Sequence, residues 1–268
     1  MISRVCSYSF KHHDVVTTYN GEHYEFHGQC DLVLTKDENF ADGKGIDIQV
    51  RTKLVRHWSY NQAAAVKIGD DILQVQGSAD KTSNANNYWI NGDFQGDLSN
   101  DGDGIGGFPI TEKVVSPKKR EFSIDLSARY KGTSIVVSTY LEFVRVEIKN
   151  PTVDSFGNSV GLLGDFKTGK TLARDGATVM NDFWEFGQEW QVLPSEGMLF
   201  DRVSKPQFPE KCQMPDDPRG ERRRRLGEMV VSEEQAEAAC AHLADAGDRK
   251  DCVYDVLATQ DVDMVGAY

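Results

Sequence analysis

Residues 122–148 read FSIDLSARYKGTSIVVSTYLEFVRVEI and contain the clearest structural pattern of the sequence. Apolar side chains occupy every second position in two runs, namely Phe122, Ile124 and Leu126, then Val144, Val146 and Ile148. A period of two with one apolar face is typical of half-buried antiparallel strands. Lys131-Gly132, between the runs, is a turn-forming pair. The stretch therefore predicts antiparallel strands joined by a turn.

The same alternation recurs from about Thr17 to Trp190. Further alternating runs are Tyr24/Phe26, Ile46/Ile48/Val50 and Val66/Ile68. Turn formers separate them, among them Asn20-Gly21, Gly69-Asp70-Asp71 and Asn91-Gly92. Because such a meander of hairpins must bury its apolar faces, we predict a mainly β fold, a two-sheet antiparallel β-sandwich.

The sequence changes character near residue 200. Prolines become frequent and are followed by four consecutive arginines, Arg222, Arg223, Arg224 and Arg225. This pattern indicates an extended linker. The arginine run is either a cleavage site for a protease of basic specificity or a solvated run of charge. We therefore predict three parts: a β-domain at 1–200, a linker at 201–230 that includes Cys212, and a small helical tail at 231–268.

The tail has its own signals. Ser232-Glu233-Glu234-Gln235 is similar to a capping box, which predicts a helix over Ala236–Leu243 that ends near Ala246-Gly247. A disulfide between Cys240 and Cys252 is the simplest account of the two cysteines in this part. A loop of roughly 13 residues closed by such a bond gives about 3 kcal/mol in the chain-entropy model.

The net charge of the chain restricts the classes of partner that it is expected to bind. The 268 residues carry a formal net charge of -12, with a pI of about 5.0. This charge repels nucleic-acid phosphates and anionic lipids, so cations are the expected small partners. No stretch approaches the roughly 20 apolar residues that span a bilayer, and the first residues do not open a signal peptide. Either an export signal lies outside this sequence or the protein is not exported.

Cysteine spacing favours an oxidising compartment. The five cysteines, at 6, 30, 212, 240 and 252, form no Cys-x-x-Cys pair, so a zinc ribbon or a thioredoxin-type motif has no support. Wide spacing is more typical of disulfides. An odd number leaves one thiol, which is either free or bonded to another chain.

Three separate blocks of the sequence carry short motifs. The first block begins at Asp14 and runs through Asn20-Gly21, Tyr24, Phe26, Gly28 and Cys30 to Leu32-Val33-Leu34. The second is 161–166 (GLLGDF), and the third is 186–192 (FGQEWQV). In order and separation the three blocks resemble the von Willebrand factor type D domain of extracellular and adhesive proteins, in which the second and third motifs read G-L-C-G-N-F and F-G-x-x-W-x-V. The cysteine-containing tail is similar to the segment that commonly follows this domain.

The resemblance implies disulfide pairing. It pairs Cys30 with Cys212, a loop of roughly 180 residues whose closure would add about 5 kcal/mol in the chain-entropy model. The chain departs from the family at Leu163, where a cysteine is usual. Cys6 thereby loses the partner that the family would provide and becomes the predicted free or intermolecular thiol.

The resemblance also implies a calcium site. The positions that match the family's ligands are Asn20, Asp165 and, across a small insertion, Asp175, all oxygen donors that suit a hard cation. Lys167 stands where a ligating aspartate is expected, so its ammonium group would repel the ion or replace it in an internal salt bridge. The alternative is that these residues hydrogen-bond their own turns.

One alternative interpretation concerns the strand at His23. His23, Glu25 and His27 alternate along one face and would be zinc or iron ligands in a metal-dependent β-sandwich enzyme. Because Tyr24 and Phe26 take the buried side, we expect the histidine face to be solvated surface.

The combined prediction is a structural or adhesive module rather than an enzyme. We expect it in an extracellular matrix, cell-surface or secreted protein, with disulfides and bound calcium as stabilisers. The expected partners are other extracellular proteins, further domains of the same chain, or further copies joined by disulfide or non-covalent contacts. Neither nucleic acid nor membrane insertion is expected.

Overall fold

A computed structural model describes residues 7–10, 15–55, 58–78, 88–94, 104–200, 212–215 and 230–268. Within these ranges the chain is mainly β, and its strands form two antiparallel sheets followed by a helical C-terminal part. The predicted fold class is therefore confirmed.

The larger sheet has eight strands. They are β1 Ser7–Phe10, β2 Val15–Thr17, β3 His23–Glu25, β10 Gly104–Ile105, β11 Phe108–Ser116, β12 Lys119–Asp125, β13 Ser134–Tyr140 and β14 Phe143–Lys149. Their order across the sheet is β10-β11-β12-β13-β14-β1-β2-β3. The stretch at 122–148 supplies β13 and most of β12 and β14. Phe122 lies opposite Val137, which in turn lies opposite Val146.

The smaller sheet has six strands in sequence order. They are β4 Asp31–Asp37, β5 Ile46–Val55, β6 Trp58–Ile68, β7 Asp71–Gln76, β8 Tyr88–Ile90 and β9 Asp93–Phe94. The β6–β7 connection uses the predicted turn, where Gly69 adopts a φ of 64° that a side chain would disfavour.

The main core lies between the two sheets. Ile48 and Val66 of the smaller sheet and Phe122 and Val146 of the larger sheet belong to one buried cluster. The rings of Tyr88 and Phe122 bridge the sheets with centroids 4.7 Å apart. This shared interior defines a sandwich.

Short helices interrupt the predicted β region. They are α1 Phe40–Gly43, α2 Val153–Phe156 and α3 Phe183–Glu189. The α3 helix was not expected from the alternating pattern. Asp182 begins it by accepting hydrogen bonds from the backbone N–H groups of Trp184 and Glu185.

The tail differs from the prediction in its helix boundaries. The predicted capping box is present, but the helix that it opens, α4, spans Glu233–Cys240 and not Ala236–Leu243. Ala246-Gly247, predicted to end that helix, instead begins a second one, α5, at Ala246–Thr259, because Asp245 caps it. A 3₁₀ helix at Val262–Ala267 follows.

Candidate functional site

The predicted disulfide between Cys30 and Cys212 is present and buried. Cys30 is 1% exposed and Cys212 is 5% exposed. Backbone hydrogen bonds between Gln29 and Gln213, at 2.8 and 3.1 Å, run beside it. The Gln191 side chain accepts from the Cys212 backbone N–H at 2.9 Å. The segment at 212–213 is therefore held beside the residues that directly precede β4 by covalent and hydrogen bonds.

The three blocks that carry the family resemblance meet in space. The Tyr24 hydroxyl of the first block donates to the Leu162 carbonyl of the second at 2.8 Å. The backbone N–H of Tyr19 donates to the Leu163 carbonyl at 2.8 Å. The third block reaches β4, where the Val33 N–H donates to the Trp190 carbonyl at 2.8 Å.

Phe26 fills the space between the first and third blocks. Its ring atoms lie 2.1 to 2.6 Å from the position that a Cβ at Gly187 would take. Glycine is thus required at this point of α3 by close packing. The Tyr24 ring stacks on Phe183 of the same helix, with centroids 4.5 Å apart and planes 6° apart.

A buried ion pair lies next to Cys30. The Arg51 guanidinium donates to both carboxylate oxygens of Asp31, at 2.6 and 2.8 Å, and both side chains are at most 4% exposed. The guanidinium carbon of Arg51 also lies 4.5 Å from the ring centroid of Phe200. Sequence reasoning did not find this pair, although two charged residues on paired apolar strands were the available signal.

Two of the predicted calcium ligands belong to adjoining segments. The Asn20 amide donates to the Gly169 carbonyl at 2.7 Å, within the loop that Asp165 opens. Asp165 accepts from the Thr168 backbone N–H at 2.7 Å. Hydrogen bonds from Thr178 and Ala177 lower the pKa of the exposed Asp175 carboxyl. The Asn20 Oδ1 also accepts from the backbone N–H of Glu22 at 2.9 Å. Each of the three residues thus makes a contact within its own turn, as the alternative interpretation expects.

Lys167 does not pair with a predicted ligand in the contacts observed. Its ammonium group donates to the Asn158 Oδ1 at 2.7 Å. Within the described residues, no group of three His, Cys, Asp or Glu side chains is arranged to hold a metal ion. Asparagine and backbone oxygens are also calcium ligands, so the calcium site stays a prediction.

The histidine face is only partly solvated, which corrects the sequence prediction. His23 and Glu25 are exposed, whereas His27, beyond the end of β3, is 3% exposed. The tail covers it, since the Tyr254 hydroxyl on α5 lies 3.4 Å from His27 Nε2 and 3.3 Å from Glu25 Oε2. His27 Nδ1 faces the backbone N–H of Ser59 at 3.4 Å. Packing by the tail, invisible in the strand pattern, buries this histidine.

The tail carries the second predicted disulfide, Cys240–Cys252, with both cysteines fully buried. It also shares a second core with the sandwich. This tail core combines residues of the two sheets with tail residues: Trp58, Tyr60, Tyr140, Phe143, Val231, Ala236, Cys240, Cys252, Val256, Met264 and Ala267. The Tyr140 hydroxyl donates to the Asp263 carbonyl at 2.7 Å.

Two predicted sites lie outside the described residues. One is the thiol of Cys6. The other is the predicted processing site, the arginine run formed by Arg222, Arg223, Arg224 and Arg225. Both remain predictions from sequence.

No family model matches the chain, and no curated protein is similar enough to be matched. The resemblance to the type D domain is therefore carried by the sequence motifs. Across the described ranges, none of the helices combines the length and apolar character that crossing a bilayer demands.

Proposed function

We propose that the chain is a structural or adhesive module of an extracellular matrix, cell-surface or secreted protein, similar to the von Willebrand factor type D domain. The buried Cys30–Cys212 disulfide is the observation that carries the proposal. Such bonds persist in oxidising compartments and are rare in reducing ones. The bond joins the residue before β4 to the segment beyond α3, across a sequence separation of 182 residues.

The motif contacts support a mechanical role. Hydrogen bonds join the first block to the second, and close packing at Gly187 joins it to the third. The disulfide joins the end of the first block to Cys212. A module of this kind acts through rigidity and exposed loops and requires no activated nucleophile.

The direct test locates the protein and its thiols together. An antibody against the chain should stain intact, non-permeabilised producing cells or their matrix, and alkylation of the acid-quenched chain, denatured without reductant, should leave Cys30 and Cys212 unlabelled. Intracellular staining with both thiols alkylated would refute the proposal.

Calcium binding by the Asn20 and Asp165 region belongs to the same proposal. Isothermal titration with CaCl₂ should give saturable binding that Asp165→Asn weakens, since this change removes charge but keeps a hydrogen-bond acceptor. Lys167→Asp should strengthen binding, because it removes a repelling ammonium and adds two ligand oxygens. Unchanged heats in both variants would remove calcium from the proposal.

Self-association through Cys6 is tested separately. The wild-type chain should run as a disulfide-linked dimer on non-reducing gels, and Cys6→Ser should run as a monomer. A monomer in both cases would leave only non-covalent association.

The enzyme alternative makes a different prediction. Stoichiometric zinc or iron in the purified protein, lost on His23→Ala, would favour it. Calcium alone would favour the structural module.

A further inference from the structure

A cavity of about 290 Å³ opens beside the second and third motif blocks. Lys36, Glu38 and Asn39 form one side of it, and Asn158 and Val160 face them from the segment after α2. The remaining wall contains Arg174, Trp190 and Glu196. None of the predicted site residues lines this cavity.

Backbone hydrogen bonds fix the side that carries the amides. The buried carboxylate of Asp37 accepts from the backbone N–H of Asn39 at 2.9 Å and from that of Asn158 at 3.1 Å. Lys36 and Val160 exchange two backbone hydrogen bonds at 2.8 and 2.9 Å. Both asparagines are therefore held at defined positions before any ligand arrives.

The opposite wall is equally fixed. The Arg174 guanidinium lies 4.9 Å from the ring centroid of Trp190 and donates to the carbonyls of Glu189 and Gln191 at 2.8 and 2.7 Å. It also pairs with Glu196. Burial opposes ionisation of Glu196, but hydrogen bonds from Arg174 and the Leu193 backbone N–H outweigh it and lower the pKa of this carboxyl.

Charge and hydrogen-bonding capacity identify the class of ligand. The lining holds two cations, Lys36 and Arg174, against two carboxylates, Glu38 and Glu196, so the cavity has no excess charge to attract an ion. The Asn39 side chain makes no capping hydrogen bond. Lys167 occupies the Asn158 Oδ1 and leaves the Nδ2 group as a donor. The amides donate and accept hydrogen bonds, the ammonium group donates them and the carboxylate accepts them. Because each hydroxyl group also donates and accepts, this combination suits a ligand with vicinal hydroxyl groups.

We infer that this cavity binds a neutral polyhydroxylated ligand, a terminal sugar residue of a glycan. Preformed walls, a few placed polar groups and the apolar side chain of Val160 are features that a small-molecule site combines. The inference rests on the proposed adhesive function, for which it names a partner class: glycans of a matrix or of a neighbouring glycoprotein.

Nuclear magnetic resonance titration tests the inference with the purified full chain. The probes are methyl glycosides of glucose, galactose, mannose, fucose and N-acetylglucosamine. At least one should give saturable shifts. Lys36→Met, which keeps the apolar stem, and Asn39→Ala should each weaken binding about tenfold. Lys149→Met is the matched control, because both lysines lie on strands with a carboxylate nearby, 3.8 Å away for Lys36 and 3.7 Å away for Lys149.

Three results would overturn the inference. They are no saturable shift with any glycoside, equal affinity in wild type and both cavity variants, or binding of a charged sugar acid in place of all neutral sugars. Unchanged amide spectra of the free variants establish that they are folded. Failure here would leave the extracellular proposal standing, because that proposal is judged by staining and thiol alkylation.

Discussion

The sandwich and the tail each contain one buried disulfide, but the two bonds close loops of very different length. Cys30–Cys212 spans 182 positions and Cys240–Cys252 spans 12. The first bond limits the unfolded state of most of the chain, whereas the second limits only the tail. Among the described cysteines, none links the tail to the sandwich. The tail is therefore held by the tail core and a few polar contacts.

This contrast means that the stability of the tail and that of the sandwich should respond differently to substitutions and to pH. The sandwich interior combines two apolar sheet faces and a covalent closure. The tail relies on an interface that resembles the contact between two domains.

Removing each disulfide should have the largest effect. Replacing Cys30 and Cys212 with alanine should lower the free energy of unfolding by about 5 kcal/mol, and replacing Cys240 and Cys252 by about 3 kcal/mol. Urea denaturation of both double variants measures the difference. An equal or larger loss from the tail pair would contradict the loop-length explanation.

Weakening the tail core should come next. Met264 is 2% exposed, and Met264→Ala should cost about 2 kcal/mol. Hydrogen exchange should accelerate in the tail before the sandwich. Val262→Ala is the control, since Val262 lies in the same 3₁₀ helix at 46% exposure and should change stability by less than about 0.5 kcal/mol. Uniform acceleration in both regions would show one cooperative unit.

Adding a methyl group compares one helix of each region. Gly187→Ala in α3 should destabilise by about 1 to 3 kcal/mol, because its Cβ would meet the buried Phe26 ring. Gly247→Ala in α5 meets only the end of the Asp245 side chain at 3.0 Å and His23 at 3.8 Å. It should stay within about 1 kcal/mol of wild type in thermal unfolding. If Gly187→Ala left the stability unchanged, the close packing of Phe26 against Gly187 would be contradicted.

Ionisation of buried tyrosines should have the smallest effect on stability. It should appear only at alkaline pH and be absent at neutral pH. Burial raises the pKa values of Tyr24 in the sandwich and Tyr268 in the tail well above the ordinary value. The unfolded chain therefore loses these protons first, so stability should fall as pH rises above about 10. Urea midpoints measured across this range should decline less steeply in Tyr268→Phe. An identical slope in the variant would exclude Tyr268 as a contributor.

The sequence predicted the fold better than the surroundings of its sites. Alternation predicted the strands around Phe122, and the four described cysteines form the two expected disulfides. It did not predict the burial of His27, because Tyr254 reaches that histidine from a helix more than 200 residues later in the chain. The helix at Phe183–Glu189 was also missed, since a seven-residue helix leaves little periodicity to detect.

The sequence by itself determined the sheets, the main hairpin turns and the cap of α4, because these depend on local side-chain alternation and backbone preference. Only the tertiary structure decided which distant segments share an environment: the fit of Phe26 against Gly187, the docking of the tail and the cavity between Asn39 and Trp190. The physical reason is that strand and turn signals act over a few residues. Packing, burial and charge balance depend on neighbours that the chain brings together only when it is folded.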